Sequence, residues 1–214
     1  MRLWGLPLQG RGDTPLYTFA RWLAVPLFGG IYRCRARGTE NLPGEGPAII
    51  VVNHEANIDP VIVAMVFDRP LRFMAKEELF RFRLLAKLVS TLGAFPIMRG
   101  AGDRAALETS LAALAEGDVL LMFPEGHRYP DDEVHDFLPG VGMLALRSGA
   151  PVIPVASKGT AGMWRDGRPR LSKLHLLVGP PVDLSDLNGR GSKVYAEAAR
   201  RMRAAVADLY ECLL

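Results

Sequence analysis

A histidine and an aspartate stand five residues apart in the stretch Val52-Asn53-His54-Glu-Ala-Asn-Ile-Asp59-Pro60, directly after a strongly apolar run. On one regular helix this spacing would place the two side chains about 140° apart, so they could not meet. They can meet if His54 lies on a loop and Asp59 caps the next helix, which Pro60 at the first helical position favours. A carboxylate on one imidazole nitrogen leaves the other free to accept a proton. The pair predicts a general base with an orienting carboxylate; a loop histidine beside a simple helix cap is the alternative.

A second polar loop, with the sequence PEGHR at residues 124–128, follows the apolar run 119–123. Proline and glycine directly after a buried strand predict a sharp turn, which would project Glu125 and Arg128 at one edge of a sheet. Lys76 and Arg99 also follow apolar runs. Because Arg and Lys bind phosphate groups, three cations beyond strand ends predict a phosphate-binding pocket. Ordinary surface cations at strand ends would give the same pattern.

The elements that must position these loops alternate along the chain. Apolar runs rich in Val, Ile and Leu predict strands that are buried on both faces, and helix-like segments lie between them. Asp103 and Ser192 are predicted N-caps of two of these helices. The pattern predicts an α/β fold, with a largely parallel mixed sheet flanked by helices. The predicted strands are residues 47–53, 71–75, 93–98, 118–123, 151–156 and 174–178.

Charged residues are clustered by sign along the chain, which the net charge does not show. The chain has 214 residues, 49% of them hydrophobic, and a net charge of only +3. That total is too small to indicate a nucleic-acid partner. Residues 1–37, however, carry six arginines and one aspartate. Residues 38–68 carry five acids and no Lys or Arg, and residues 69–104 carry eight Lys and Arg and three acids.

The two basic blocks also hold two strongly apolar segments, residues 14–31 and 78–91. Basic helices with large apolar side chains bind the headgroup region of anionic membranes, although ordinary core helices are the alternative. No apolar run is long enough to span a bilayer, and no secretion signal is evident. We therefore predict a peripheral membrane protein on the cytoplasmic face. Residues 1–37 would form an N-terminal helical membrane-associating appendage, and residues 38–214 a single α/β domain.

Other chemistries lack their sequence signatures. Cys34 and Cys212 form no CxxC pair, which favours a reducing compartment without a disulfide framework. There is no GxSxG elbow and no Walker loop, which argues against a common α/β serine hydrolase and a P-loop NTPase. Neither His54-Glu55 nor the acidic residues 131–136 have the spacing of metal ligands. We predict no metal and no cofactor.

Four blocks of sequence, together covering about residues 42–182, resemble the glycerolipid acyltransferase family with the HX4D motif, typified by lysophosphatidic acid acyltransferase. Each block is weak evidence alone, but all four occur in the order and spacing of that family. They are Asn53-His54-x4-Asp59, Gly93-Ala-Phe-Pro-Ile-Met-Arg99, Phe123-Pro-Glu-Gly126 with Arg128, and Val152-Ile-Pro-Val-Ala156 followed by Gly159-Thr160.

The resemblance implies an O-acyltransferase in which His54 deprotonates the free hydroxyl of lysophosphatidate and Asp59 orients His54. The hydroxyl would attack the thioester of acyl-CoA or acyl carrier protein, which are co-substrates, to give phosphatidate without a covalent acyl-enzyme. Pro154 would shape the side of the site that binds the acyl donor. The residues implied to bind the glycerol phosphate are Lys76, Arg99, Glu125, Gly126 and Arg128.

Three positions depart from the family pattern. Ala56 and His127 stand where the family often has Ser and Thr, and Leu138 stands where it often has Lys. The missing Lys removes one cation from the implied phosphate pocket, so another lysolipid or an aminolipid is an alternative acceptor. A thioesterase and a non-catalytic lipid-binding protein are the alternatives from other classes.

Overall fold

Seven strands form one sheet within the described part of the chain, and buried apolar runs form its central strands. The computed structural model describes residues 2–10, 13–76, 80–81, 86–87, 90, 93–97, 103–165 and 168–213. The strands are β1 (Arg35–Arg37), β2 (Ala48–Val52), β3 (Leu71–Lys76), β4 (Ala94–Ile97), β5 (Val119–Met122), β6 (Val152–Lys158) and β7 (His175–Val178).

The order of strands across the sheet is β1-β7-β6-β2-β5-β3-β4. Strand β2 lies at the centre, with all five residues buried, and pairs in parallel with β5 and β6. Strands β3 and β4 continue the parallel part, whereas β7 is antiparallel to β6 and parallel to β1. The predicted largely parallel mixed sheet is confirmed. Strand β1 was not predicted, because a three-residue Arg-Ala-Arg edge strand has no apolar run.

Helices cover both faces of the sheet, as the fold class requires. They are α1 (Pro15–Ala24), α2 (Asp59–Val66), α3 (Asp103–Ala115), α4 (Pro139–Ser148) and α5 (Ser192–Glu211). One core joins α2 and the N-terminal segment to the sheet, and a second core joins α3, α4 and α5 to its other face. Ser192 is the first residue of α5, and Gly191 takes the cap position predicted for it.

The N-terminal segment is helical, as predicted, but it is packed into the α/β unit. Thr14 caps α1 by accepting a hydrogen bond from the Tyr17 N–H at 3.2 Å, and a π-helical turn at Val25–Ile31 follows the helix. Val25 and Phe28 belong to the same buried core as β2. The structure therefore does not confirm a separate helical appendage.

Helix α1 has a polar inner face. Arg21 is 2% exposed, pairs with Asp13 at 2.9 Å and donates to the Met65 carbonyl at 3.1 Å, near the end of α2. Arg21 belongs to the basic block at residues 1–37, but its charge is neutralised inside the protein. The outer face of α1 and of the π-helical turn that follows it is apolar, and together they form the surface that we call the N-terminal ridge. Its exposed side chains are Phe19, Trp22, Leu23, Leu27 and Ile31.

The other predicted membrane segment, residues 78–91, lies mostly outside the described residues. Within the described ranges, no helix is both long enough and apolar enough to cross a membrane.

Candidate active site

His54 and Asp59 are in direct contact at the carboxyl end of β2. Nδ1 of His54 lies 2.7 Å from Oδ2 of Asp59, and the aspartate is fully buried while the imidazole is 18% exposed. The same Oδ2 accepts the backbone N–H groups of Glu55 and Ala56, both at 2.8 Å. An oxygen that already accepts two N–H groups acts as an acceptor toward Nδ1 as well, so Nδ1 carries the proton and Nε2 is the basic nitrogen.

Asp59 organises the loop before α2 and does not cap the helix. It is the first residue of α2, and Ile58 before it takes the N-cap position without a side-chain bond, so the predicted cap at Asp59 is wrong. Its carboxylate turns back toward the preceding loop. This allows a histidine five residues earlier to meet it, because the loop supplies the reversal that one helix could not.

The loop after β5 holds the backbone of His54. Oε2 of Glu125 accepts the His54 N–H at 2.8 Å, and the Tyr129 N–H donates to the His54 carbonyl at 2.8 Å. The Phe123 ring lies against the imidazole, with centroids 4.1 Å apart. Because β2 and β5 are adjacent and parallel, the loops that follow them meet at one edge of the sheet. The hydrogen bonds between the two loops hold both in place.

Glu125 has both oxygens bonded to the backbone. Besides the bond to His54, Oε1 accepts the N–H of His135 at 2.9 Å. Burial raises the pKa of Glu125, while the N–H groups of His135 and His54 lower it. A buried carboxylate with these bonds can position loops. Its implied contact with the glycerol phosphate stays a prediction.

Asn53 ties the catalytic loop to the neighbouring strand. Its side-chain amide donates to the Ser157 carbonyl and accepts the Ser157 N–H, both at 2.8 Å. The side chain thus extends the pairing of β2 with β6 by one more rung. The signal in the sequence was a polar residue directly after five buried apolar ones, but only the strand order shows its partner.

A cleft of about 880 Å³ adjoins this loop. Ala56 and Asn57 line it, as does Arg128, whose guanidinium bonds the Asn57 side chain. Arg128 is exposed. Residues of the N-terminal segment, including Leu27 and Tyr32, also line the cleft. A cation and apolar side chains thus line one cavity, and the loop that begins at His54 borders it, although His54 itself is not among the lining residues.

The remaining predicted site residues are placed unequally. Gly126 has φ +73°, and a Cβ there would lie 2.8 Å from Cδ1 of Leu138, so glycine suits this turn. Lys76 ends β3 at the same sheet edge as His54, but its side chain is outside the description, as is all of Arg99. Pro154 is buried within β6 and is not among the residues that line the cleft, so its implied role toward the acyl donor stays a prediction.

Glu55 carries a network that sequence reasoning missed. Oε2 accepts the backbone N–H groups of Gly159 and Ala161 and the hydroxyl of Thr160, each at 3.1 Å, and Oε1 accepts the Tyr210 hydroxyl at 3.0 Å. Burial raises the pKa of Glu55, and the bonds from Ala161, Tyr210 and Thr160 lower it. Glu55 thereby links the loop after β2 to the loop after β6 and to helix α5.

We expect Glu55→Ala to reduce the free energy of unfolding by about 3 kcal/mol or more, because it leaves several buried donors without an acceptor. Tyr210→Phe removes one of these bonds and should cost about 1 kcal/mol. Urea denaturation of both variants and the parent protein measures the difference. Equal losses in the two variants would contradict the assignment of Glu55 as the centre of the network.

The loops after β2 and β5 and the carboxylate-bound histidine define an acyltransferase of the HX4D type. A family model described as Acyltransferase matches residues 33–158, which is more than half of the chain. The chain belongs to this acyltransferase family and is an enzyme, as the resemblance predicted.

Its relatives include the 1-acyl-sn-glycerol-3-phosphate acyltransferase of Streptococcus pneumoniae, which is 29% identical over 196 residues, 90% of this chain and 72% of the relative. The enzyme of the same name from Bacillus subtilis is 26% identical over 173 residues, covering 79% and 82%. The crystal structure of the 1-acyl-sn-glycerophosphate acyltransferase from Thermotoga maritima matches with a TM-score of 0.68 at 26% identity, covering 91% of this chain and 78% of that one.

Proposed function

We propose that the protein transfers a fatty acyl group from a thioester to the free hydroxyl of 1-acylglycerol-3-phosphate, which gives phosphatidate. The observation that carries this proposal is the His54–Asp59 contact at 2.7 Å beside a cleft that contains Arg128. The names of the relatives support the acceptor. Either acyl-CoA or acyl carrier protein supplies the acyl group.

In the proposed reaction, Nε2 of His54 takes the proton of the acceptor hydroxyl as its oxygen attacks the thioester carbonyl carbon. The tetrahedral intermediate collapses, the carbon–sulfur bond breaks, and the imidazolium returns the proton to the leaving thiolate. The products are the new ester and the free thiol carrier. Asp59 stabilises the imidazolium between the two transfers and holds the ring in one orientation.

The phosphate of the acceptor would bind Arg128, with Lys76 and Arg99 as further cations. A guanidinium binds phosphate in a bidentate manner, which orients the acceptor as well as holding it. Glu125 and Gly126 would shape the turn that carries Arg128, and Pro154 the side of the acyl donor. Because Leu138 replaces a common lysine, we expect Arg128 to carry a large share of the binding energy for the phosphate.

Purified protein, supplied with labelled acyl-CoA or acyl carrier protein and a panel of lysolipids, tests the proposal. We expect labelled phosphatidate from lysophosphatidate and much less product from neutral or zwitterionic acceptors. Labelled fatty acid as the sole product would indicate a thioesterase instead. Binding of lysolipid without any turnover would indicate a lipid-binding protein.

We expect Arg128→Ala to lower kcat/KM for lysophosphatidate about 100-fold, the effect of losing a strong charge-assisted contact. With monoacylglycerol, which has no phosphate, the loss should be within about threefold. Arg147→Ala, an exposed change on α4, serves as the matched control. If both acceptors lose activity equally, Arg128 does not bind the phosphate.

The site would work at the cytoplasmic face of a membrane that contains anionic lipid. The exposed apolar side chains of the N-terminal ridge support this location, because a row of such residues on one helical face is typical of peripheral membrane binding. Leu27 belongs both to the ridge and to the lining of the cleft. A substrate held in the bilayer would therefore be presented directly at the cavity.

A further inference from the structure

A short hairpin on the far side of the cleft exposes two large apolar side chains. It pairs Trp164–Arg165 with Arg168–Pro169 in antiparallel register. Trp164 is 65% exposed and Leu171, just beyond the hairpin, is 78% exposed, the two highest fractions among the large apolar residues of the described chain. Exposure of such large apolar side chains to water is unfavourable, so this surface is a candidate for binding a partner.

The charge of this region identifies the chemistry of that partner. Residues 164–173, which we call the 164–173 segment, contain four basic residues and one acid. Arg168 and Lys173 are exposed on either side of Leu171. Tryptophan and leucine among basic residues match the boundary between acyl chains and anionic headgroups, because the indole suits an interface that is apolar on one side and wet on the other.

The position of the segment connects it with the substrate cavity. Trp164 and Pro169 line the same cleft as Leu27 and Tyr32 of the N-terminal segment. The backbone joins the two walls, since the Leu174 N–H donates to the Tyr32 carbonyl at 3.2 Å. The cleft is therefore bordered by exposed apolar side chains on two sides, one from the N-terminal ridge and one from the hairpin.

We propose that the 164–173 segment is a second membrane-contacting element, which inserts Trp164 and Leu171 into the headgroup–acyl boundary of an anionic bilayer. Arg168 and Lys173 contact the lipid phosphates. The cleft then opens onto lipid between this segment and the N-terminal ridge, so a substrate tail enters without crossing water. The inference rests on the proposed function at a membrane and adds a surface to it.

Tryptophan fluorescence tests insertion directly, because the chain has three tryptophans, at positions 4, 22 and 164. The full-length double variant Trp4→Phe, Trp22→Phe leaves Trp164 as the reporter. With vesicles of phosphatidylcholine and phosphatidylglycerol, we expect a blue shift and quenching by brominated acyl chains. If the protein floats with the vesicles while the Trp164 emission is unchanged, or if it does not float at all, the proposal is wrong.

A second copy of the chain is the competing partner for this surface. Sedimentation of the same reporter variant without lipid distinguishes it. A blue shift that follows protein concentration and dimer formation would overturn the membrane assignment. A monomer whose emission changes on addition of anionic vesicles would support it.

Activity measurements distinguish the proposed membrane role of the 164–173 segment from the proposed catalytic function. We expect Leu171→Ser, a change outside the lining of the cleft, to lower the rate on vesicle-bound lysophosphatidate about tenfold, since one apolar anchor is lost. The rate on a short-chain acceptor that stays monomeric in water should remain within about twofold. Equal losses on both acceptors would contradict a membrane role. A parent protein that is inactive on both would refute the proposed function and leave the fluorescence result standing.

The basic residues have a matched control on the other face of the sheet. Arg168→Ser with Lys173→Ser should weaken binding to anionic vesicles about tenfold or more and leave the weak binding to neutral vesicles unchanged. Arg147→Ser with Lys193→Ser, both exposed on helices α4 and α5, removes the same charge elsewhere. If the two double variants weaken binding equally, the effect is one of total charge and the segment is not the contact.

Discussion

Replacement of His54 by alanine is expected to lower kcat about 10³-fold, with little change in the affinity for lysophosphatidate. In the proposed mechanism the imidazole is the base, and its Nε2 has no hydrogen-bond partner among the described residues, so it is free to take the hydroxyl proton. Arg128 and the turn at Gly126 do not depend on the His54 side chain. Steady-state kinetics with labelled acyl-CoA measure both parameters.

His175→Ala is the matched control for this change. His175 is half-buried at the start of β7 and does not line the cleft, and its loss should leave kcat within about twofold. An His54→Ala variant that retains the parent rate would exclude general base catalysis by His54. It would do so without affecting the assignment of the chain to the acyltransferase family.

Asp59→Asn is expected to lower kcat about 100-fold while the protein stays folded. The asparagine oxygen can occupy the place of Oδ2 and keep the bonds to His54, Glu55 and Ala56, so the change removes mainly the negative charge. That charge stabilises the imidazolium formed during catalysis. The new amide nitrogen would take the place of Oδ1, which is buried without a partner in the described structure, and this adds a modest cost in stability.

Asp59→Ala provides the comparison that separates charge from geometry. It removes all three bonds to Oδ2, so the loop loses its order, and the free energy of unfolding should fall by about 3 kcal/mol or more. Urea denaturation and steady-state kinetics of the two variants together separate the effect of the charge on kcat from the effect of the loop bonds on stability. If Asp59→Asn is as active as the parent protein, the carboxylate serves only to organise the loop.

Much of the fold is visible in the sequence, because a run of buried strand residues leaves a local pattern. The central strand β2 is five apolar residues in succession, and β5 and β6 are read in the same way. Strand β1 could not be predicted in this way, because it pairs with β7 through backbone groups and its side chains form no apolar run. Helix α1 lies within the predicted apolar segment 14–31, but no local pattern indicates that Arg21 is on its buried face.

In the candidate site, too, local contacts could be predicted from the sequence and distant contacts could not. The contact of His54 with Asp59 could be predicted because both residues lie in one short stretch, where the helix start at Asp59-Pro60 limits the possible geometries. The partners of Glu55 and Asn53 could not, since Tyr210 and Ser157 are 155 and 104 positions away. Which distant residue meets a buried polar group depends on the strand order.

The amino-acid order alone was thus sufficient for the class of fold, the contact of His54 with Asp59 and the family, all of which depend on local spacing and on short motifs. Folding decided what faces inward. Arg21 became a buried ion pair because Asp13 and the end of α2 come together around it, whereas Trp164 and Leu171 stayed outside because no apolar surface of the chain covers them in the described structure. Burial of a side chain is a property of its three-dimensional neighbours, and no local pattern contains them.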